Sequence, residues 1–216
     1  MSTSSGANGT SRGAPDLPRQ WAGAHTLRLV HELNERCIET LARLSTDRST
    51  RTIEIVASSR ALWSCLDAGA RRRAAECPFL LVDVWFQNVH WWRSVKERRI
   101  PHVHSARHRC FPPRAAGTLM RETLMLTWST ARSDRRIAGL LLGLAPAVAE
   151  IIAGLGLQDV ERIAAKFARQ VRPRWEDRPG FWRSLVLAAR DGDENTRHEI
   201  HLHGLQLLGA DLLRDE

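Results

Sequence analysis

Four side chains able to ligate a borderline metal, His102, His104, His108 and Cys110, fall within one short stretch. Four nitrogen or sulfur donors suffice for zinc, and His104 and His108 share a face if the segment is helical. Arg107 and Arg109 are interleaved with them, Arg98 and Arg99 precede them, and no carboxylate between positions 100 and 121 offsets a dication. The segment therefore reads as a solvated basic loop over residues 96–114, with neither metal nor cofactor. A second group, His198-Glu199-Ile200-His201-Leu202-His203, has two residues between His198 and His201 where the zinc-protease motif has three between its histidines. A terminal helix burying Ile200, Leu205, Leu208 and Leu212 is the expectation there.

Trp63, Trp85, Trp91, Trp92 and Trp128 stand near basic runs and have the faces needed to stack unpaired bases. Large aromatics inside apolar runs usually belong to a core. Trp91 and Trp92 are expected to differ, because neighbouring side chains point in different directions and one of the pair is expected to meet a partner or another part of the chain. Elsewhere the chain has no glycine-rich phosphate loop, no GxSxG elbow, no paired acidic motif and no supported Cys/His couple. A non-enzymatic role is the resulting expectation.

The chain has 216 residues, is 43% hydrophobic and carries a net charge of +8. This length and composition support a real core. All but Lys96 and Lys166 of its 32 basic residues are arginine. Guanidinium forks match phosphate and carboxylate, which favours nucleic acid, an acidic protein or an anionic surface, although codon usage in a GC-rich genome also exchanges lysine for arginine. Cys37, Cys65, Cys77 and Cys110 form no CxxC pair, so buried free thiols in a reducing compartment are expected. The apolar stretch 137–149 is interrupted by Gly139, Gly143 and Pro146 and is too short to span a bilayer. Residues 1–19 are rich in Ser, Gly, Thr and Pro and lack a secretory pattern, giving an expected disordered cytoplasmic leader over 1–22 and one helical domain over 23–216, with a sub-boundary near 96–114.

Apolar residues at helical spacing predict a first helix over 26–44, and the polar segment 45–51, with Asp47, is suited to capping a second. That second helix is predicted over about 52–75, ending in Arg71-Arg72-Arg73. The run 79–86 has no convincing strand partner, so helix or irregular packing is expected. Helical patterning resumes over 115–130, breaks near Asp134 and restarts at Ile137.

Residues 146–169, PAVAEIIAGLGLQDVERIAAKFAR, comprise two short helical patterns around Gly154-Leu155-Gly156. On a helix-turn-helix template Gly154 takes the turn with φ > 0, Ala149 and Ala153 allow close packing, and Leu155, Val160 and Ile163 anchor the second helix. Glu150 sits where the template prefers a small buried residue, and Asp159 and Glu161 place carboxylates where phosphate would approach. Beyond the corner, Arg169, Arg172 and Arg174 surround a basic segment ending at Trp175, whose indole can support a guanidinium. Arg162, Lys166, Arg169, Arg172 and Arg174 are the candidate phosphate contacts.

The string Leu142-Gly143-Leu144-Ala145-Pro146, followed by Ala149-Glu150-Ile151-Ile152, Leu155, Leu157, Val160, Ile163 and Ala164, resembles the core of the flagellar transcriptional activator subunit FlhD. The similarity covers residues 135–187, and the helix over 26–44 is similar to that family's first helix. The resemblance implies an all-helical bacterial protein that dimerises and activates transcription, in a hetero-oligomer whose companion subunit FlhC makes much of the promoter contact. The present chain differs by a large insert holding the tryptophan-rich run.

Together these readings predict an all-α, multi-helix globular bundle with a helix-turn-helix-like corner in its C-terminal third. The expected function is cytoplasmic transcription regulation through DNA or a DNA-bound partner, with a homodimer among the expected assemblies. The alternative is a helical adaptor that binds an acidic protein through Trp91, Trp92 and the arginine surface.

Overall fold

Amphipathic helices separated by proline, glycine and aspartate punctuation build the protein from α-helix. The computed structural model describes residues 23–47, 53–99 and 110–213. The expected leader over 1–22 and three members of the histidine group, His102, His104 and His108, lie outside them.

The first helix, α1 (Gly23–Thr46), buries Val30, Leu33, Cys37, Ile38, Leu41 and Leu44 on one face. Its buried Asn34 donates to the carbonyls of Ala75 (3.2 Å) and Phe79 (2.9 Å) and accepts from the Leu81 amide (2.7 Å). A polar side chain in a core is thus fully engaged and fixes α1 against residues 75–81. The single helix expected over 52–75 is three pieces, α2 (Glu54–Ala57), α3 (Arg60–Ser64) and α4 (Ala68–Ala75). Ser59 leaves helical geometry (φ −144°, ψ 33°), and Asp67 starts a new helix by accepting from the Ala70 amide at 2.7 Å.

Residues 79–86 run through the core to β1 (Val82–Asp83) and on to α5 (Val89–Lys96). Contrary to the expectation from sequence, β1 has a partner: β2 (Arg172–Pro173) pairs with it antiparallel. A two-residue strand ninety positions away leaves no local pattern to read. Between them lie α6 (Pro113–Ser133), α7 (Arg135–Leu142), α8 (Pro146–Ala153) and α9 (Leu157–Lys166). The break at Asp134 is an N-cap, its carboxylate accepting from the amides of Arg136 (2.8 Å) and Ile137 (3.1 Å). Two further helices follow among the described residues, α10 (Pro179–Asp191) and α11 (Glu194–Leu213), separated by Gly192 at φ 75°.

Apart from α11, most of the described part falls into two structural repeats offset by ninety residues. The helices α1 and α6 start at 23 and 113, β1 and β2 at 82 and 172, and α5 and α10 at 89 and 179, while α4 corresponds to α9. Trp85 and Trp175 occupy equivalent left-handed positions, at φ 54° and 53°. The fully buried Trp92 and Trp182 each donate an indole hydrogen bond to the carbonyl eight residues earlier, Val84 (3.2 Å) and Arg174 (2.8 Å). The strand register, Val82 opposite Pro173 and Asp83 opposite Arg172, is that of a local two-fold. Helices are exchanged across it: α5 packs on α8 of the second repeat, and α10 packs on α2, α3 and α4 of the first.

Three of the cysteines, Cys37, Cys77 and Cys110, are buried free thiols, but Cys65 is exposed. Among the described residues no helix is long and apolar enough to cross a membrane.

Candidate nucleic-acid interface

Helices α8 and α9 follow one another through residues 154–156, but each packs on α6 rather than closely on the other, unlike the compact two-helix corner expected. Ala149, Leu155, Val160 and Ile163 are buried, and the Trp128 indole of α6 donates to the Leu155 carbonyl at 2.9 Å, tying the turn to the long helix. The turn does not need a left-handed glycine. Gly154 has φ −83° and ψ −2°, an ordinary right-handed conformation. Glu150 is not in a buried position either; it points outward and pairs with Arg135 at 3.7 Å.

The outer face of α9 presents Leu157, which is 50% exposed, with exposed Gln158, Ala165 and Lys166. Its two carboxylates are engaged by cations. Arg162 bonds Asp159 at 3.0 Å, with Arg98 at 3.8 Å from the same carboxylate, and Arg121 clamps Glu161 through Nε and Nη2 at 2.9–3.1 Å. The Glu161 carboxylate and its charge raise the Arg121 pKa further. The phosphate-repelling charges anticipated from sequence are therefore matched locally. Lys96, at the end of α5, brings its ammonium within 4.0 Å of the space a side chain at Gly154 would fill. Lys166 and Arg169 are exposed and form no ion pair among the described residues.

The remaining candidates lie elsewhere. Arg172 bonds Asp83 at 2.8 Å and reaches Glu176 at 3.5 Å, with its guanidinium 4.1 Å from the Trp85 ring centroid. Burial alone would raise the Asp83 pKa, but the charges of Arg172 and Arg174 and the hydrogen bonds from Arg172 and the Phe86 amide hold it below the ordinary carboxylate range. Arg174 is only 4% exposed and donates to the Leu142 carbonyl at 2.6 Å. Neither is placed to meet a phosphate. Both belong to the two-fold junction, because β2 runs inward after the 3-10 turn Ala168–Gln170.

Trp91 and Trp92 are corrected likewise: they are 3% and 0% exposed and offer a partner nothing. Adjacent positions on a helix lie about 100° apart, and α5 is covered over more than that arc. Trp92 points to β1, while Trp91 meets Phe167 edge-on at 5.5 Å and Trp92 at 5.0 Å. Leu205 of α11, expected in the core, is exposed. Cys110, the one member of the metal-binding candidates within the described residues, donates its thiol to Glu176 at 2.9 Å. Burial, then Glu176, pushes that thiol's pKa well up, which opposes metal ligation.

Sequence reasoning did not bring Lys96, Arg98 and Arg121 to the corner, since they arrive from other helices. The signal it passed over is the repeat itself, Trp85…Trp92-Arg93-Ser94 against Trp175…Trp182-Arg183-Ser184. No family model, no curated protein and no solved structure matches this chain.

Proposed function

We propose that the protein regulates transcription in the cytoplasm by holding DNA at the α8–α9 corner. Lys96, Arg98, Arg162, Lys166 and Arg169 would supply phosphate contacts, with Gln158 positioned to meet a base edge. The observation that carries this reading is the inequality of two equivalent corners. The α3–α4 corner is covered by α10 and braced by α11, whereas the α9 face is open and its acids are neutralised. The resemblance to FlhD supports an activator, and a second copy would be required for a palindromic operator.

The test is a gel-shift titration with duplex DNA at several salt concentrations. Lys166→Ala with Arg169→Ala is expected to weaken binding and lower the slope of log K against log salt by about two. Equal affinity and slope for the double variant and the parent would remove this surface from consideration.

A second reading, a protein adaptor, is favoured by one specific feature. Helix α11 turns Leu202, Leu205 and Leu213 to solvent, an apolar face suited to a protein partner. Failure of the purified chain to co-elute with DNA at low salt would favour it.

A further inference from the structure

The two equivalent tryptophan turns meet at a pocket of about 800 Å³, within the range of small-molecule sites. Arg174 lines it and is almost wholly buried. Its Nη2 is engaged by the Leu142 carbonyl, but its Nε has no hydrogen-bond partner, and it forms no ion pair among the described residues. Gln87, in the same wall, donates through Nε2 to the Gly143 carbonyl at 2.8 Å and leaves its buried Oε1 without a donor. Both of these atoms are closed off from the pocket, so a ligand would meet Arg174 through the rest of its guanidinium. Asp177 and Arg178 also line the pocket, and neither has an ion-pair partner among the described residues.

We infer that this junction binds a zwitterionic small molecule of the amino-acid class. Its carboxylate would face Arg174 and Arg178, and its ammonium group would face Asp177. A polyanion fits poorly, since Asp83, Glu176 and Asp211 line the same space and the charges of Asp83 and Asp211 already act on Arg174. The space left beyond such a head group accommodates a large side chain. This site is separate from the α9 corner, so it stands or falls independently of DNA binding.

The experiment is thermal unfolding of the full chain with each of the common L-amino acids, alongside acetate, methylammonium and inorganic phosphate at equal concentration. At least one amino acid is expected to raise Tm by about 5 to 10 °C at roughly a hundred times its Kd, and the three fragments to leave it unchanged. The double variant Asp177→Asn, Arg178→Ala is expected to keep the unliganded Tm and lose the rise. The inference is overturned if no amino acid raises Tm, if phosphate alone matches the effect, or if the double variant retains it.

Discussion

The α3–α4 corner of the first repeat and the α8–α9 corner of the second share a plan and differ in what covers them. Helix α10 spans 13 residues and lies along α4, where Arg73 donates to the Ala189 carbonyl at 2.7 Å. Its counterpart α5 spans 8 residues and packs on α8. The first corner gains a further brace from α11, through the Arg197–Glu76 contact at 3.1 Å and the seating of Gly204 on Phe79. Two copies of one plan have therefore been used differently, one as framework and the other as exposed surface.

The largest effects should come from what the halves hold in common. Trp92→Ala and Trp182→Ala each remove a fully buried indole and its hydrogen bond, and each is expected to cost about 3 to 5 kcal/mol in urea unfolding. A loss confined to one of the two variants would break the equivalence of the repeats.

A smaller effect should separate the corners. A Cβ at Gly204 would overlap the Phe79 ring, so Gly204→Ala should destabilise by about 1 to 3 kcal/mol. At Gly154 the nearest atoms lie at 3.5 Å or beyond and φ is ordinary, so Gly154→Ala should stabilise by roughly 0.4 to 1 kcal/mol. Opposite signs in thermal unfolding would confirm that the first corner is tightly seated and the second has room; equal signs would contradict it.

Acid should loosen the covered side first. Burial lowers the pKa of His31 on α1, opposed by Glu76, and burial together with Arg197 and His198 lowers that of His201 on α11. Both ring Nε2 atoms are buried without a partner. The folded chain thus binds fewer protons than the unfolded one, and stability that is full above the ordinary histidine range declines as pH falls from about 6.5 toward the lowered values. Amide exchange at pH 5.5 relative to pH 7.5, corrected for its intrinsic rate, should accelerate more in α11 than in α9, and His201→Gln should reduce the difference. Uniform acceleration would place the sensitive groups elsewhere.

The smallest change concerns the open corner alone. Arg121→Ala releases Glu161 on a fully solvated surface, and unfolding should be unaffected. DNA affinity should fall at low salt, because the freed carboxylate faces the approaching phosphates. Unaltered affinity would show that this ion pair lies outside the contact.

Much of the helical layout was legible because burial of one face imposes a period, as in α1 and α6, and because Asp134 and Pro146 mark helix starts chemically. The anchors Leu155, Val160 and Ile163 were legible for the same reason. Arg172, Arg174, Trp91 and Trp92 were misplaced because the strand pair and the double-sided burial of α5 depend on contacts between residues far apart in the chain. Asp67 as a cap was overlooked in a segment whose apolar spacing suggested one continuous helix.

By itself the sequence determined an all-α protein, the approximate extents of α1, α6, α7, α8 and α9 and a glycine-jointed helix pair with arginines around it, since these arise from local sterics, capping and amphipathic spacing. The tertiary structure alone decided which arginines are buried, which carboxylates are neutralised and which of two equivalent corners faces solvent. Those outcomes depend on desolvation and on charges brought together from distant positions, and neither has a sequence period.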